Sequence, residues 1–254
     1  MNEKLYGNEQ YYEMWYELFK ESLKGMNIGS GGNTETSGEK NVLKLLSGKG
    51  VTEYKNIFDV GANIGKYTKL LVEYFPTARI HSFEPSKKTF QVLKDNIQGK
   101  NVILNNCGMS DEIAEVTLYY DKEKSSRASL YNRQLDYHGI EFNMNEKVMV
   151  DTLDHYCEVN NIETIDFLKM DIEGNELKAL NGAKKLLEEK RIKNIQIEFG
   201  GCNIDSRTFF RDFWNLLNKD FKVYRILQSG LREIPRYGER LECFITTNYL
   251  FMEK

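Results

Sequence analysis

The stretch NIFDVGANIGKYTKLL, residues 56–71, changes character twice in one short run. Residues 56–60 are a short apolar run of strand length. The chain then turns through Gly61-Ala62-Asn63-Ile64-Gly65, and beyond it Tyr67, Leu70, Leu71 and Tyr74 fall at helical spacing. Strand, glycine turn and helix form the opening of a crossover unit, in which Gly61 allows a tight turn with close backbone approach and Gly65 lets the helix start pack against the strand.

Outward from this stretch, apolar runs of strand length alternate with helical segments, which specifies a parallel sheet with helices on both faces. The pattern predicts strands at 56–60, 79–84, 102–107, 166–171, 195–199, 221–227 and 241–248, with helices at 67–74, 87–98, 175–190 and 208–218. The expected fold is α/β, a doubly wound seven-stranded Rossmann-like sheet in one domain over 51–254. An insertion at 112–152 carries two β-like pieces, 115–120 and 147–152, around a polar segment, 121–146. Long loops of this kind in compact domains are often functional, and βα loops lie beyond the carboxyl ends of the strands, where open α/β sheets bind ligands. Residues 1–50 read as a helical extension. Tyr12, Trp15, Tyr16 and Phe19 share one helix face that must be covered, by the body of the same domain or by a second copy, a route to a homo-oligomer. Residues 27–40, rich in Gly, Ser, Thr and Asn, read as a flexible loop, and a short helix at 41–47 leads into the first strand.

Composition narrows the function. The 254 residues carry 35 basic and 38 acidic side chains, a formal charge of -3, which is not the electrostatic footprint of a nucleic-acid binder. Cys107, Cys157, Cys202 and Cys243 form no CxxC pair, so neither a zinc knuckle nor a redox motif is visible. The charged start lacks a signal peptide's apolar core, and no run is long enough for a membrane span; the expectation is a cytoplasmic protein.

The loop at Gly61 is a nucleotide-type cradle. It lacks the GK[ST] ending of a P-loop, and with no third glycine it departs from GxGxxG. The next strand ends RIHSFEP, residues 79–85. There Glu84 can accept both ribose hydroxyls of an adenosine, in a nicotinamide dinucleotide or in S-adenosylmethionine. Asp59, at the end of the first strand, favours the second, because its charge suits an ammonium and a sulfonium and opposes a pyrophosphate.

The strings DVGANIGKYT (59–68), HSFEPSKKTFQVLKDNI (81–97), NCGMSD (106–111), Ser129-Leu130, VDTLDHY (150–156) and DFLKMDIEGNELKALNGA (166–183) occur in the order seen in FkbM-type methyltransferases, which this sequence resembles over roughly residues 56 to 200. The resemblance implies the class I methyltransferase fold, its last strand antiparallel, and O-methylation of small molecules, often sugars of bacterial surface polysaccharides. It implies S-adenosylmethionine as cofactor. Asp59 would lie near its amino group, Gly61, Ala62, Asn63 and Gly65 around the methionine moiety, Glu84 and Pro85 at the ribose, Asn106 and Cys107 beside the adenine, and Met170 and Asp171 at the next strand tip.

Methyl transfer from a sulfonium needs an aligned acceptor and a group to take its proton. Asp171, Glu173 and Glu198, at two strand tips on the cofactor side, are the catalytic candidates, with His138 of the insertion as a further base. The carboxylates followed by Asn203 also resemble the oxygen-rich surroundings Mg²⁺ or Mn²⁺ prefers, which makes Asp171 and Glu198 candidate metal ligands. Of the other histidines, His81 is expected inside a strand and His155 at the surface. Within KEKSSRASLYNRQ, residues 122–134, Arg127, Arg133, Ser129 and Tyr131 offer guanidinium groups, a hydroxyl and an aromatic platform, a set suited to a phosphate-bearing sugar, and Asn203 after the fifth predicted strand is a further substrate candidate. The expected acceptor is therefore a nucleotide-linked hexose or heptose for capsule or lipopolysaccharide. The alternatives are a polyketide or other secondary metabolite, and a cofactor-binding pseudoenzyme serving as a scaffold subunit.

Overall fold

The computed structural model describes residues 5–30, 34, 36–48 and 53–254. The opening run folds as expected into β1 (Asn56–Val60) and α3 (Lys66–Tyr74), preceded by α1 (Tyr12–Gly25) and α2 (Glu39–Leu46). Then follow β2 (Arg79–Phe83), α4 (Lys87–Asn96), β3 (Val102–Asn105), β4 (Gly108–Met109), β5 (Ala114–Tyr120) and β6 (Met144–Asp151). The rest is α5 (Leu153–Val159), β7 (Phe167–Met170), α6 (Glu176–Asn181), α7 (Lys184–Glu188), β8 (Asn194–Phe199), α8 (Cys202–Asp205), α9 (Phe210–Leu217), β9 (Phe221–Leu227), β10 (Gly230–Ile234) and β11 (Thr247–Glu253).

The main sheet runs β10-β9-β11-β8-β7-β1-β2-β3. The block from β8 to β3 is parallel, with β1 at its centre, while β11 lies antiparallel between β8 and β9. Successive residues of β1 serve opposite faces: Phe58 enters the core under α5, α6, α7 and α9, and Ile57 the core under α2 and α3. Both are fully buried, the mark of a parallel strand covered on two sides. The last strand is antiparallel, as expected.

The differences have local causes. The sheet has eight strands among the described residues, because β10 returns on β9 as a polar edge strand whose sequence, GLREI, carries little apolar signal. The predicted strand at 241–248 begins at Thr247; the run Tyr249, Leu250, Phe251 is fully buried and paired on both sides, whereas Phe244 packs from a loop onto Phe199. The predicted strand at 102–107 stops at Asn105, after which Gly108–Met109 joins β5 and β6 in a separate three-stranded sheet. The predicted helix at 175–190 breaks at Gly182, where a Cβ would stand 2.0 Å from the carbonyl oxygen of Ser110.

The N-terminal segment divides into unlike halves. Val42, Leu43 and Leu46 of α2 belong to the core. On α1, Trp15 stacks on Tyr6, but Tyr12, Tyr16 and Phe19 remain exposed, so the body of the same chain does not cover this face among the described residues. Of the loop at 27–40, residues 31–33 and 35 lie outside the described residues. Its two ends are tied down: the buried Asn27 side chain donates to the carbonyls of Ser37 and Ile226.

Candidate active site

A cavity of about 700 Å³ opens at the carboxyl ends of the parallel strands. Its first wall is the β1–α3 turn. Gly61 has φ +88°, and a Cβ there would stand 2.0 Å from the carbonyl oxygen of Asp171, so only glycine brings the two strand ends this close. The N–H groups of Gly61 and Ala62 both donate to the carbonyl of Phe83, which fixes the loop to β2. Gly65, expected to ease contact with the strand, instead meets Leu93 and Ile97 at α4 and its end.

Glu84 stands where the sequence places it. Its carboxylate accepts the N–H of Asn63 at 3.1 Å and of Ser86 at 2.9 Å, and it faces the cavity beside Pro85. Burial pushes its carboxyl up to about 7, against the pull of those two donors. Asn106 lies outside the cavity and donates to the carbonyls of Glu84 and Pro85, supporting the turn from behind. Gly61, Ala62, Asn63, Glu84, Pro85 and Asp171 therefore line the cavity, as do Gly108 and Met109, whereas Gly65, Cys107 and the fully buried Met170 do not. Asp59 also lies behind the wall: fully buried, it accepts from Thr68 at 2.6 Å, and its other oxygen has no partner.

The opposite wall is acidic. Asp171, Glu173 and Glu198 each place a carboxylate oxygen so that all three lie within 4.8 Å of one another. Burial, then the charge of Asp171, push the Glu173 carboxyl up to about 8, against the Arg133 guanidinium, and the same two causes raise Glu198 well above the usual range. Glu173 holds a left-handed backbone, φ +53°, in a loop organised by the buried Glu176, whose carboxylate accepts the N–H groups of Ile172 and Gly174. Two cations serve the cluster. Lys169 of β7 pairs with Asp171 at 3.1 Å, and Arg133 of the insertion pairs with Glu173 and, at 3.3 Å, with Asp205.

Several expectations are corrected here. His138 is exposed and packs at a tilt against the Tyr137 ring, away from the cavity wall, so the structure does not bring it to the carboxylates. Ser129 is buried and donates to the carbonyl of Glu173, and Tyr131 donates to Asn175; both staple the insertion to the loop after β7 instead of facing a substrate. Asn203 is fully buried, its Oδ1 accepts the N–H of Gly200, and it does not line the cavity, so it braces the turn after β8 instead of facing a substrate. Arg127 does line the cavity, with Lys66, Lys122 and Lys124. His81 is buried against Tyr156, which lowers it to about 4 chiefly by desolvation, and His155 is exposed beside Asp151.

Sequence reasoning missed Lys169 and Glu39 as parts of this site, and read Arg133 as a phosphate contact where the structure pairs it with Glu173 and Asp205. A lysine inside the apolar strand FLKM was a legible signal, since an ammonium is rarely buried unpaired. Glu39 carried none, because it sits in a polar stretch.

Sheet order, the antiparallel β11 and a ligand cavity at the β1–β2 tips make this a Rossmann-like α/β fold of the class I methyltransferase kind. The chain belongs to the methyltransferase FkbM domain family, whose model matches residues 59–226. It is 31% identical over 142 residues to Methyltransferase 1 of Beauveria bassiana (strain ARSEF 2860), covering 50% of this chain and 57% of that protein. It is 25% identical over 169 residues to Methyltransferase sdnD of Sordaria araneosa, covering 56% and 65%. The match thus spans about three fifths of these relatives' length. Among solved structures, the plantazolicin methyltransferase BpumL in complex with SAH superposes at TM-score 0.46 and 10% identity, over 98% of this chain and 93% of that one. No helix among the described residues is long and apolar enough to cross a membrane.

Proposed function

We propose that the protein transfers the methyl group of S-adenosylmethionine to a hydroxyl of a nucleotide-linked sugar, a hexose or heptose destined for a bacterial capsule or lipopolysaccharide. The observation that carries this reading is one cavity with a nucleoside cradle at one end and three clustered carboxylates at the other. The cradle fits the cofactor: each oxygen of Glu84 takes one backbone N–H, and a carboxylate has lone pairs left for two ribose hydroxyls. Gly61 to Asn63 and Pro85 would hold the rest. When bound, S-adenosylmethionine supplies an electrophilic methyl group on a sulfonium that leaves as a neutral thioether.

The chain's own part is alignment and proton removal. Glu198, whose proton affinity burial and the charge of Asp171 raise, takes the acceptor's hydroxyl proton when ionised. Lys169 and Arg133 keep Asp171 and Glu173 in place beside it. These two cations supply counter-charge from the chain itself through one oxygen of Asp171 and one of Glu173, and the remaining oxygens of Asp171, Glu173 and Glu198 are those that would hold Mg²⁺ or Mn²⁺. At the mouth, Lys66, Lys122, Lys124 and Arg127 suit the phosphates of a sugar nucleotide.

The test is a screen of nucleotide sugars with methyl-labelled cofactor, with and without chelator. Label should appear on a sugar hydroxyl and survive chelation. Transfer confined to polyketide phenols would move the acceptor class, and absence of both transfer and calorimetric cofactor binding would overturn the reading.

A further inference from the structure

Inside the cavity, below the strand tips, Lys169, which already steadies Asp171, stands with a carboxylate that neither the cradle nor the proton transfer uses, Glu39. Lys169 is buried on β7 with its ammonium 5.0 Å from the centre of the Tyr67 ring, a cation–π contact, and 3.1 Å from Asp171. Burial would lower its pKa, but Asp171, Asp59 and Glu39 together hold it above the usual lysine range. Glu39 opens α2 and precedes the segment matched by the family model. Its carboxylate is buried on the cavity wall, where it accepts from Gln196 at 2.9 Å and from Ser37 at 2.9 Å. Gln196 lies opposite Lys169 in the β7–β8 register and also accepts from Tyr67 at 3.3 Å. The two functional groups are thus fixed by the sheet on one side and by α2 on the other.

A rigid carboxylate and a rigid ammonium on one cavity wall are the complement of a zwitterion. Each Glu39 oxygen accepts one hydrogen bond and has capacity for another, and an ammonium carries three donors. Carboxylates outnumber ammonium groups around Lys169, so the group also favours a ligand that brings a cation of its own. We propose that Glu39 and Lys169 clamp the α-amino-acid end of the methyl donor: Glu39 accepts from its ammonium and Lys169 donates to its carboxylate. The N-terminal segment then completes the cofactor site, and Asp59, behind the wall, acts on that ammonium only at longer range. This inference rests on the S-adenosylmethionine reading of the cavity.

The test compares two probes by calorimetry on the full chain. S-adenosylhomocysteine carries the amino-acid end, and 5′-deoxy-5′-methylthioadenosine shares its adenine, ribose and sulfur but lacks that end. Glu39→Gln, near-isosteric, should weaken S-adenosylhomocysteine about tenfold or more, as loss of a charge-assisted hydrogen bond does, and leave methylthioadenosine within about twofold. Lys169→Met should do the same; should it fail to fold, Glu39→Gln decides alone, with its thermal melt as control. Equal weakening of both probes, or of neither, overturns the clamp while the cofactor reading stands. Failure of the unmodified protein to bind S-adenosylhomocysteine overturns the cofactor reading and the clamp with it.

Discussion

The two ends of the cavity are built on opposite principles. At the β1–β2 end the polar work is done by backbone: Gly61, Ala62, Asn63 and Ser86 donate, and Phe83 and one carboxylate, Glu84, accept. At the β7–β8 end it is done by side chains, three carboxylates held close against their repulsion by one lysine and one arginine. Backbone geometry tolerates many sequences as long as the glycine stays, so the first end leaves a short readable motif. A charge cluster depends on residues from three separate stretches, 133, 169–173 and 198, and leaves a scattered one. The difference also divides the chemistry, for fixed backbone donors and acceptors suit holding a cofactor, while crowded carboxylates with raised proton affinity suit taking a proton.

The comparison breaks most sharply at Glu198. Glu198→Gln should leave cofactor affinity nearly unchanged by calorimetry and lower turnover about 10²- to 10⁴-fold, the usual contribution of general-base catalysis. Unchanged turnover would remove proton transfer from the acidic end. Gly61→Ala attacks the other end. Its φ of +88° costs an alanine about 1 to 3 kcal/mol, and the contact with the Asp171 carbonyl adds to that. Both thermal stability and cofactor binding should fall, the second to below detection; a variant that binds normally would show that the strand ends need not approach so closely.

The same contrast explains what could be read in advance. The strand at 56–60 and the cradle residues Gly61, Asn63 and Glu84 were legible because local pattern alone determines them. Asp171, Glu173 and Glu198 were legible as strand-tip carboxylates, but their pairing with counter-ions was not, since Arg133 arrives from 40 positions away along the chain and a lysine in an apolar strand does not say which carboxylate it meets. Ser129 and Tyr131 were read as substrate contacts because a hydroxyl and a ring on a polar loop look the same whether they face a ligand or tie down the loop. Only the partner atoms, the Glu173 carbonyl and the Asn175 side chain, distinguish the two roles.

A smaller effect is expected at Glu84. Since its carboxylate accepts two buried backbone donors, truncation to alanine would strand them, and Glu84→Gln, which keeps an acceptor oxygen, is the cleaner variant. It should weaken S-adenosylmethionine by about 1.5 to 3 kcal/mol, roughly ten- to a hundredfold. With the carboxyl raised to about 7, the ionised form proposed to accept the ribose hydroxyls grows as pH rises from 6 to 8. Affinity of the unmodified protein should climb over that interval, and affinity of the Gln variant should not.

The mildest change sharpens the comparison by touching the acidic end without removing a carboxylate. Arg133 comes from the insertion and its guanidinium lowers the proton affinity of Glu173. Glu173 and Glu198 stand too close to titrate one by one, so the observable is a pKa of the two as a set. Taking away a neighbouring cation raises the proton affinity of the whole set, because each added negative charge then costs more. Turnover that needs an ionised carboxylate rises with pH through that pKa, so Arg133→Gln should move the acid limb of the kcat profile to higher pH by about one unit, worth about 1.4 kcal/mol. At pH well above the limb the rate should approach that of the unmodified protein. A purely structural role for Arg133, bracing α8 through Asp205, would lower the rate at every pH and leave the limb where it was. Arg133→Lys separates these further, since it keeps the charge but not the fork that reaches Glu173 and Asp205 together, and should return the limb toward its original position even where it does not restore the full rate.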